Sequence, residues 1–340
     1  MRHPPALDAE PGAGGTFVLN LLQLVAGRPW AIQAEVAFHV RGMVAREGIA
    51  ALRHLVQLRD GIHTRSIEAA RGGRRTADAG RRAVAVVPII GTLTHRPELI
   101  GSEMTRSTAA VAEEVRAADR DPNVTGIVLE VDSPGGEVFG VPEAWAAIRG
   151  ASKPVVASVN GQAGSAAYYL ASAAREVVVT PSGEVGSVGV FALHVDASKA
   201  LDNVGESWEF IVASDSPFKV EHAPDRPLSD AAREALQSQV DRYMAMFVRD
   251  LAQGRGVPRD YVKQRFGRGR MVGAEDAVRQ GMADRVGGFD VALRRARGEA
   301  LPRQPHLSAS ADAARELARF EREDREHRER EAALERIRSL

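Results

Sequence analysis

Residues 154–170, which read PVVASVNGQAGSAAYYL, decide how the chain folds. The first six residues form an apolar run of strand length, and Asn160-Gly161 marks its end. Small residues follow, and a helix is predicted to begin at Ser165 and to run to Ala174. A buried strand that leads through glycines into a helix is typical of a parallel sheet wrapped by helices.

The same alternation extends to both sides of this stretch. Before it, we predict strands at residues 83–90 and 124–131, and helices at 108–118 (with Ser107 as cap) and 141–148. After it, we predict strands at 177–180, 188–195 and 208–212, and helices at 230–253 (with Ser229 as cap), 259–265 and 274–279. The sequence therefore indicates an α/β domain with a largely parallel sheet.

Shifts in composition divide the chain into three parts. Residues 1–81 are predicted to form a helical N-terminal arm, with apolar residues at helical spacing from 34 to 58 and an Arg- and Gly-rich linker from 71 to 82. Residues 82–298 hold the α/β domain. Residues 299–340 are a charged helical tail, because every residue from Glu321 to Glu331 except His327 is Asp, Glu or Arg.

Composition excludes several classes of function. Acidic and basic side chains balance at 45 each among 340 residues, so no nucleic-acid partner is expected. The absence of cysteine excludes disulfides, a cysteine nucleophile and thiolate zinc sites. No HExxH motif occurs, and we expect neither a metal nor a cofactor. No apolar run reaches the roughly 18 residues of a spanning helix, so we expect no membrane anchor and a cytoplasmic location.

Ser165 has a position suited to a nucleophile. Three glycine-rich segments (residues 132–136, 160–164 and 186–189) follow three predicted strands, and ligands of open parallel sheets lie at the carboxyl ends of strands. Glycines let backbone N–H groups approach a substrate, and a helix N-terminus favours a nearby oxyanion. The plain alternative is that Ser165 only caps its helix.

These motifs resemble one protein family. Gly164-Ser165-Ala166-Ala167-Tyr168-Tyr169 is similar to the nucleophile segment of the signal peptide peptidase A family, which includes the capsid-assembly proteases of tailed phages. The family commonly has Gly-Gly where this chain has Ala166-Ala167. Segments 132–136, 186–189, 218–220 with 227–230, and 273–286 are also similar to family segments in the same order. The resemblance covers about residues 83–290.

The resemblance implies a crotonase-like ββα superhelix, shared with Clp proteases, and a Ser/Lys catalytic dyad. It implies that Ser165 is the nucleophile and Lys219 the general base. The backbone N–H groups of Gly136 and Ala166 would hold the substrate's carbonyl oxygen, and Ser187 would orient Lys219. Gly135 and Tyr168 would line the substrate groove. For Tyr168, packing of the helix is an equal alternative. For Ser187, the alternative is that it is an ordinary turn serine.

A lysine base must be neutral, which requires an apolar or cation-rich surrounding. Pro217, Phe218 and Val220 are compatible with burial of Lys219, and the chain has only four lysines from which to choose. A Ser/His alternative would use His194, which we interpret as a structural histidine of the strand predicted at 188–195. The G-x-S-x-G motif of α/β-hydrolases is absent around Ser165.

The function expected is a homo-oligomeric endopeptidase that cleaves scaffold, portal or capsid proteins during phage head maturation, in the host cytoplasm or the prohead. Self-processing is expected at the exposed Arg-rich segments 71–82 and 294–303. Two alternatives stay open. One is a soluble bacterial housekeeping protease resembling signal peptide peptidases, and the other is an inactive assembly protein with a crotonase fold.

Overall fold

The computed structural model describes residues 29–32, 75–76, 83–100, 103–301 and 309–338. The strands are β1 Pro29–Ile32, β2 Arg75–Thr76, β3 Ala83–Ile90, β4 Leu93–Thr94, β5 Leu99–Ile100, β6 Glu103–Met104, β7 Arg106–Ser107, β8 Val124–Ser133, β9 Gly135–Glu137, β10 Val155–Gly164, β11 Glu176–Val179, β12 Glu184–Gly186, β13 Phe191–Ala192, β14 Met271–Gly273 and β15 Arg285–Val286. The helix predicted at 34–58 lies outside the described residues.

The helices among these residues follow the same chain order. They are α1 Thr108–Arg120, α2 Val141–Arg149, α3 Ala166–Ser172, α4 Ser198–Val204, α5 Asp230–Arg255, α6 Arg259–Arg265, α7 Ala274–Arg279, α8 Phe289–Ala296 and α9 Ala309–Arg338. Both predicted caps are confirmed, because the side-chain oxygens of Ser107 and Ser229 accept hydrogen bonds from the first turns of α1 and α5.

A mostly parallel sheet forms the centre of the domain. Its strand order is β14-β12-β10-β8-β3-β2, with β11 paired to β10 and β15 paired to β11. Strands β3, β8 and β10 run parallel, and Leu129 of β8 lies between Val87 and Ala157 of its two neighbours. This topology confirms the predicted α/β class.

Side chains of β8 alternate between two cores, one on each face of the sheet. Ile127 and Leu129 belong to the large core beneath α1, α2, α3 and α5. Val128 faces the opposite way, toward Ala292 and Ala296 of α8. A strand that is buried on both faces needs an uninterrupted apolar run, and this is why these strands are recognisable in the sequence.

Strand β10 bends along its length and leads directly to Ser165. Its register against β8 shifts between Val159 and Ala163, which is a β-bulge. Before the bulge β10 pairs with β11, and after it β10 pairs with β12, where Gly164 lies opposite Gly186. The glycine-rich segment predicted as a turn is thus the second half of a strand.

A second sheet lies beside the end of β10, with the order β13-β1-β9-β4-β7. Strand β9, also predicted as a turn, pairs with β4 through Leu93 and Gly136. A Cβ atom on Gly136 would lie 1.8 Å from the carbonyl oxygen of Leu93, so only glycine allows the two backbones to approach this closely.

The charged tail forms the predicted helix, but part of it packs on the domain. The Phe320 side chain is only 4% exposed, and its ring meets that of Tyr261 edge to face at 5.3 Å. Arg265 forms ion pairs with Glu316 and Glu323 on either side of Phe320. Helix α9 therefore has no core of its own and contributes Phe320 to the core of the α/β domain.

Two predicted strands are wrong or much shorter than expected. Residues 206–213 have no regular secondary structure, and Ile211 is 94% exposed. The strand predicted at 188–195 is reduced to Phe191–Ala192. Apolar character alone does not make a strand, and no neighbouring strand is available to residues 206–213 among the described parts of the chain.

Gly126 supports the packing of α8 on the sheet. A Cβ atom there would lie 2.0 Å from the carbonyl oxygen of Ala296, which is backbone and has little freedom to move. We expect Gly126→Ala to lower the free energy of unfolding by roughly 1–3 kcal/mol in urea titrations. Gly273→Ala is the matched control, because a Cβ atom at Gly273 has no atom within 4 Å. Equal losses in the two variants would contradict this packing.

Candidate active site

Ser165 joins β10 to α3 in a strained conformation. Its φ of 51° and ψ of −114° lie where side chains other than glycine are rare. Two backbone hydrogen bonds hold it: its N–H donates to the carbonyl of Gly186 at 2.7 Å, and its carbonyl accepts from the N–H of Tyr169 at 2.8 Å. The surrounding structure therefore imposes this geometry on the serine.

The Ser165 hydroxyl does not cap its helix. Ser165 occupies the N-cap position of α3, but its side chain makes no capping hydrogen bond. The hydroxyl donates instead to the carbonyl of Gly189 at 3.3 Å, a long bond. The plain alternative from the sequence, a serine that serves only as a cap, is therefore wrong.

The glycine-rich segment where β8 ends and β9 begins is fixed beside the end of β10. The Ser133 hydroxyl donates to the carbonyl of Gly91 at 2.6 Å and accepts from the N–H of Gly135 at 3.1 Å. Gly135 is held with a φ of 99°, which favours glycine. Gly135, Gly136 and Ser165 are all buried, and Ser165 is only 1% exposed. The site is closed in this conformation of the chain.

Tyr168 packs beneath α3 and has no surface to offer a substrate. Its side chain is completely buried, and its hydroxyl donates to the carbonyl of Met282 at 2.9 Å. Burial raises the pKa of Tyr168, so the phenol stays neutral. The prediction that Tyr168 lines the groove is therefore wrong, and its alternative, packing of the helix, is correct.

Tyr169 packs α3 against α5 through contacts that the sequence did not predict. Its ring stacks on Phe247 with 4.5 Å between centroids, and its hydroxyl donates to the buried carboxylate of Asp250. Burial, followed by the hydrogen bond to Asp250, raises the pKa of Tyr169. Arg249 forms an ion pair with the same carboxylate. Nothing in the sequence pairs residues 169 and 250, because they are 81 positions apart.

An apolar hollow lies between α5 and the segments that follow β9 and Gly189. Eight residues line it: Val138, Val141, Pro142, Tyr169, Val190, Tyr243, Met246 and Phe247. The amphipathic pattern of α5 is visible in the sequence, but it does not reveal which residues of α5 line this hollow.

Lys219 lies in an exposed segment. It belongs to a single 3-10 turn, Pro217–Val220, and the preceding Phe218 is 67% exposed. Among the described residues, no hydrogen bond or ion pair joins the Lys219 amine to Ser165 or Ser187. The expected burial of Lys219 is therefore not found in the single chain. Lys153, by contrast, donates to the carbonyls of Ala118 and Asp121 and has a structural role.

Ser187 and His194 have local partners. Ser187 adopts a φ of 51°, and its N–H donates to the carbonyl of Arg270 at 2.8 Å. This bond fixes the chain directly after β12, next to Gly186, whose carbonyl accepts the hydrogen bond from the Ser165 N–H. His194 lies beyond β13, with its Nε2 atom 3.2 Å from the carbonyl oxygen of Arg226. His194 is therefore not a strand histidine, and no hydrogen bond links it to Ser165.

Neither a candidate metal site nor a membrane-spanning helix occurs among the described residues. In the part of the chain with assigned positions, no group of three or more His, Cys, Asp or Glu side chains could hold a metal ion. No described helix is both long enough and apolar enough to cross a membrane.

Comparison with known proteins agrees with this geometry. Residues 147–301 match the model of peptidase family S49, and residues 84–185 match that of Clp protease. The second match covers β3 to β12 and confirms the crotonase/Clp-like fold expected from the sequence. The two matches overlap on the segment that contains Ser165.

Three relatives illustrate the range of similar proteins. Protease 4 of Salmonella typhi is 30% identical over 69% of this chain and 37% of its own length. Capsid assembly protease C of Escherichia phage lambda is 33% identical over 60% of this chain and 46% of its own. Head-tail preconnector protein GP5 of Enterobacteria phage P21 is 33% identical over 62% and 41%. The chain thus spans less than half the length of each.

The strain at Ser165 has a measurable consequence for stability. Glycine adopts positive φ freely, so we expect Ser165→Gly to be more stable than Ser165→Ala by about 1 kcal/mol. Urea denaturation of both variants gives the difference. Ser158 is the matched control, because it is a buried serine within β10 whose hydroxyl has no hydrogen-bond partner among the described residues.

At Ser158 the order of stability should reverse, because glycine in an ordinary extended strand loses more conformational entropy on folding than alanine does. If alanine were the more stable replacement at both positions, the backbone at Ser165 would not be strained.

Proposed function

Because the chain carries a domain of peptidase family S49, we propose that it is a serine endopeptidase with Ser165 as nucleophile and Lys219 as general base. The observation that carries the proposal is the strained turn at Ser165, which lies within the segment that matches the family. A strained serine at the end of a sheet strand, with a hydroxyl that does not cap its helix, has the position and backbone strain that are typical of a functional serine.

The proposed reaction is acyl transfer to Ser165 followed by hydrolysis. The neutral Lys219 amine takes the Ser165 proton as Oγ attacks the substrate's carbonyl carbon. The N–H groups of Gly136 and Ala166 stabilise the oxyanion that forms. The Lys219 ammonium then gives its proton to the departing amine. Water, deprotonated by Lys219, attacks the ester carbonyl and releases the acid, and the proton returns to Ser165.

Lys219 must be shielded from water to act as this base. A neutral lysine requires removal from water, and Lys219 is exposed in the single chain. Large apolar side chains are exposed on the same segment, among them Phe210, Ile211 and Phe218. Burying such a patch favours association. We therefore propose that the active form is a homo-oligomer in which these side chains are covered and the Lys219 amine is desolvated.

The proposed substrates are polypeptides of an assembling phage head. Two of the relatives are named as phage proteins, one of them as a capsid assembly protease. By extension, this chain would cleave scaffold, portal or capsid proteins in the host cytoplasm or the prohead, and would process itself. The similarity to Protease 4, at 30% identity over 69% of the chain, favours a second candidate, a bacterial housekeeping protease.

The dyad is tested with three variants and an unfolded protein substrate such as casein. We expect Ser165→Ala and Lys219→Ala each to lower the cleavage rate by roughly 10³-fold or more, because a nucleophile and its base act as a unit. Lys263→Ala is the matched control, since Lys263 is an exposed lysine whose one ion pair among the described residues is with Asp260 on its own helix. Mass spectrometry identifies the products, and circular dichroism checks that each variant is folded.

Cleavage at the wild-type rate by all variants would contradict the assignment of both residues. A fluorophosphonate probe extends the test, because it reacts with an activated serine whatever the sequence preference of the enzyme. Peptide mapping should locate the label on Ser165, with slower labelling in Lys219→Ala. A folded chain that neither cleaves nor labels, even when concentrated enough to form oligomers, would support the inactive assembly protein.

A further inference from the structure

A segment from the N-terminal part of the chain lies beside the nucleophile. Strand β1 lies between β13 and β9 in the second sheet and runs antiparallel to both of them. Ala31 lies opposite Gly136, and Trp30 lies opposite both Glu137 and Phe191. These neighbours are the two segments that flank Ser165, one beginning just after the Ser133 turn and the other just after Gly189.

Strands β9 and β13 would have open edges without β1. In the described part of the chain β13 pairs only with β1, and β9 has β4 on its other side. Two open edges that face each other beside a nucleophile form a cleft for an extended peptide. A sheet edge can bind such a peptide through backbone hydrogen bonds, which do not depend on the peptide's side chains.

We propose that residues 29–32 occupy the substrate cleft of this protein as an internal pseudosubstrate and inhibit it until they are displaced. The inference rests on the proposed peptidase function. Residue Ala31 lies opposite Gly136, whose N–H is assigned to the oxyanion site. The strand thus has the position and the antiparallel backbone pairing that a peptide substrate would need.

The burial of the site is consistent with an occupied cleft. Ser165 is 1% exposed, and Gly135, Gly136 and Glu137 are buried as well, although a protein substrate must reach all of them. Substrate cannot enter while the cleft is closed in this way. A four-residue strand binds weakly by itself, but attachment to the same chain gives it an effective concentration of about the millimolar range.

The test uses the full-length chain with Trp30→Pro and Ala31→Pro combined. Successive N–H groups of a strand point to opposite neighbours, so this pair removes one donor toward each of β9 and β13. We expect kcat/KM for a peptide substrate and the rate of fluorophosphonate labelling of Ser165 each to rise about tenfold. The matched control is Trp30→Val with Ala31→Val, which keeps both donors and an extended backbone, and should match the wild type.

A peptide in trans gives a second measurement. A synthetic peptide of residues 27–35 should inhibit the proline variant at about millimolar concentration by raising KM without lowering kcat. The same peptide with proline in place of both Trp30 and Ala31 should not inhibit. Unchanged activity and labelling in the proline variant, together with no inhibition by the wild-type peptide, would overturn the inference.

Hydrogen exchange separates failure of this inference from failure of the proposed function. In a Ser165→Ala background, which needs no activity, the proline pair should speed exchange of amides in β9 and β13. Unchanged exchange there would overturn the docking of β1 even if the wild type is an active protease. Faster exchange, with no cleavage or labelling by any chain that carries Ser165, would support the docking and overturn the peptidase assignment.

Discussion

The turn from β10 into α3 is the constraint on which the rest of the site depends. Ser165 keeps a positive φ only because Gly186 accepts its N–H and the first turn of α3 donates to its carbonyl. Gly186 is in place because β12 pairs with the second half of β10, which in turn requires the bulge after Val159. A local strain of about 1–3 kcal/mol is thus balanced by sheet pairing over many residues.

Tyr168 and Tyr169, which follow Ser165 in α3, stabilise this turn through hydrogen bonds in the core. Tyr168 is hydrogen-bonded to the backbone at Met282, and Tyr169 to the carboxylate of Asp250. Each buried hydrogen bond contributes about 1 kcal/mol, and more where one partner is charged. The tyrosine pair therefore holds helix α3 against α5 and the residues after α7. This accounts for two large polar side chains on a helix whose other residues are small or aliphatic.

The two residues of the proposed dyad differ in burial and in how firmly the single chain holds them. Ser165 is buried and held by backbone hydrogen bonds, whereas Lys219 is exposed on a segment with little regular structure. A serine turn built into a sheet is formed whenever the sheet is formed. A lysine becomes a base only after water is removed from it, which an exposed segment cannot do alone. In the proposed oligomer, assembly would complete the site and restrict proteolysis to the assembled form.

The sequence by itself determined the buried parallel strands, the capped helices and the position of Ser165 at a strand-to-helix junction, because these depend on local periodicity and spacing. It also carried the family motifs. Only the tertiary structure decided that Gly135–Glu137 forms a strand, that residues 206–213 do not, and that Tyr169 meets Asp250. Strand pairing and burial depend on partners distant in the sequence, so a glycine-rich segment gains strand structure, and an apolar one loses it, according to its neighbours in space.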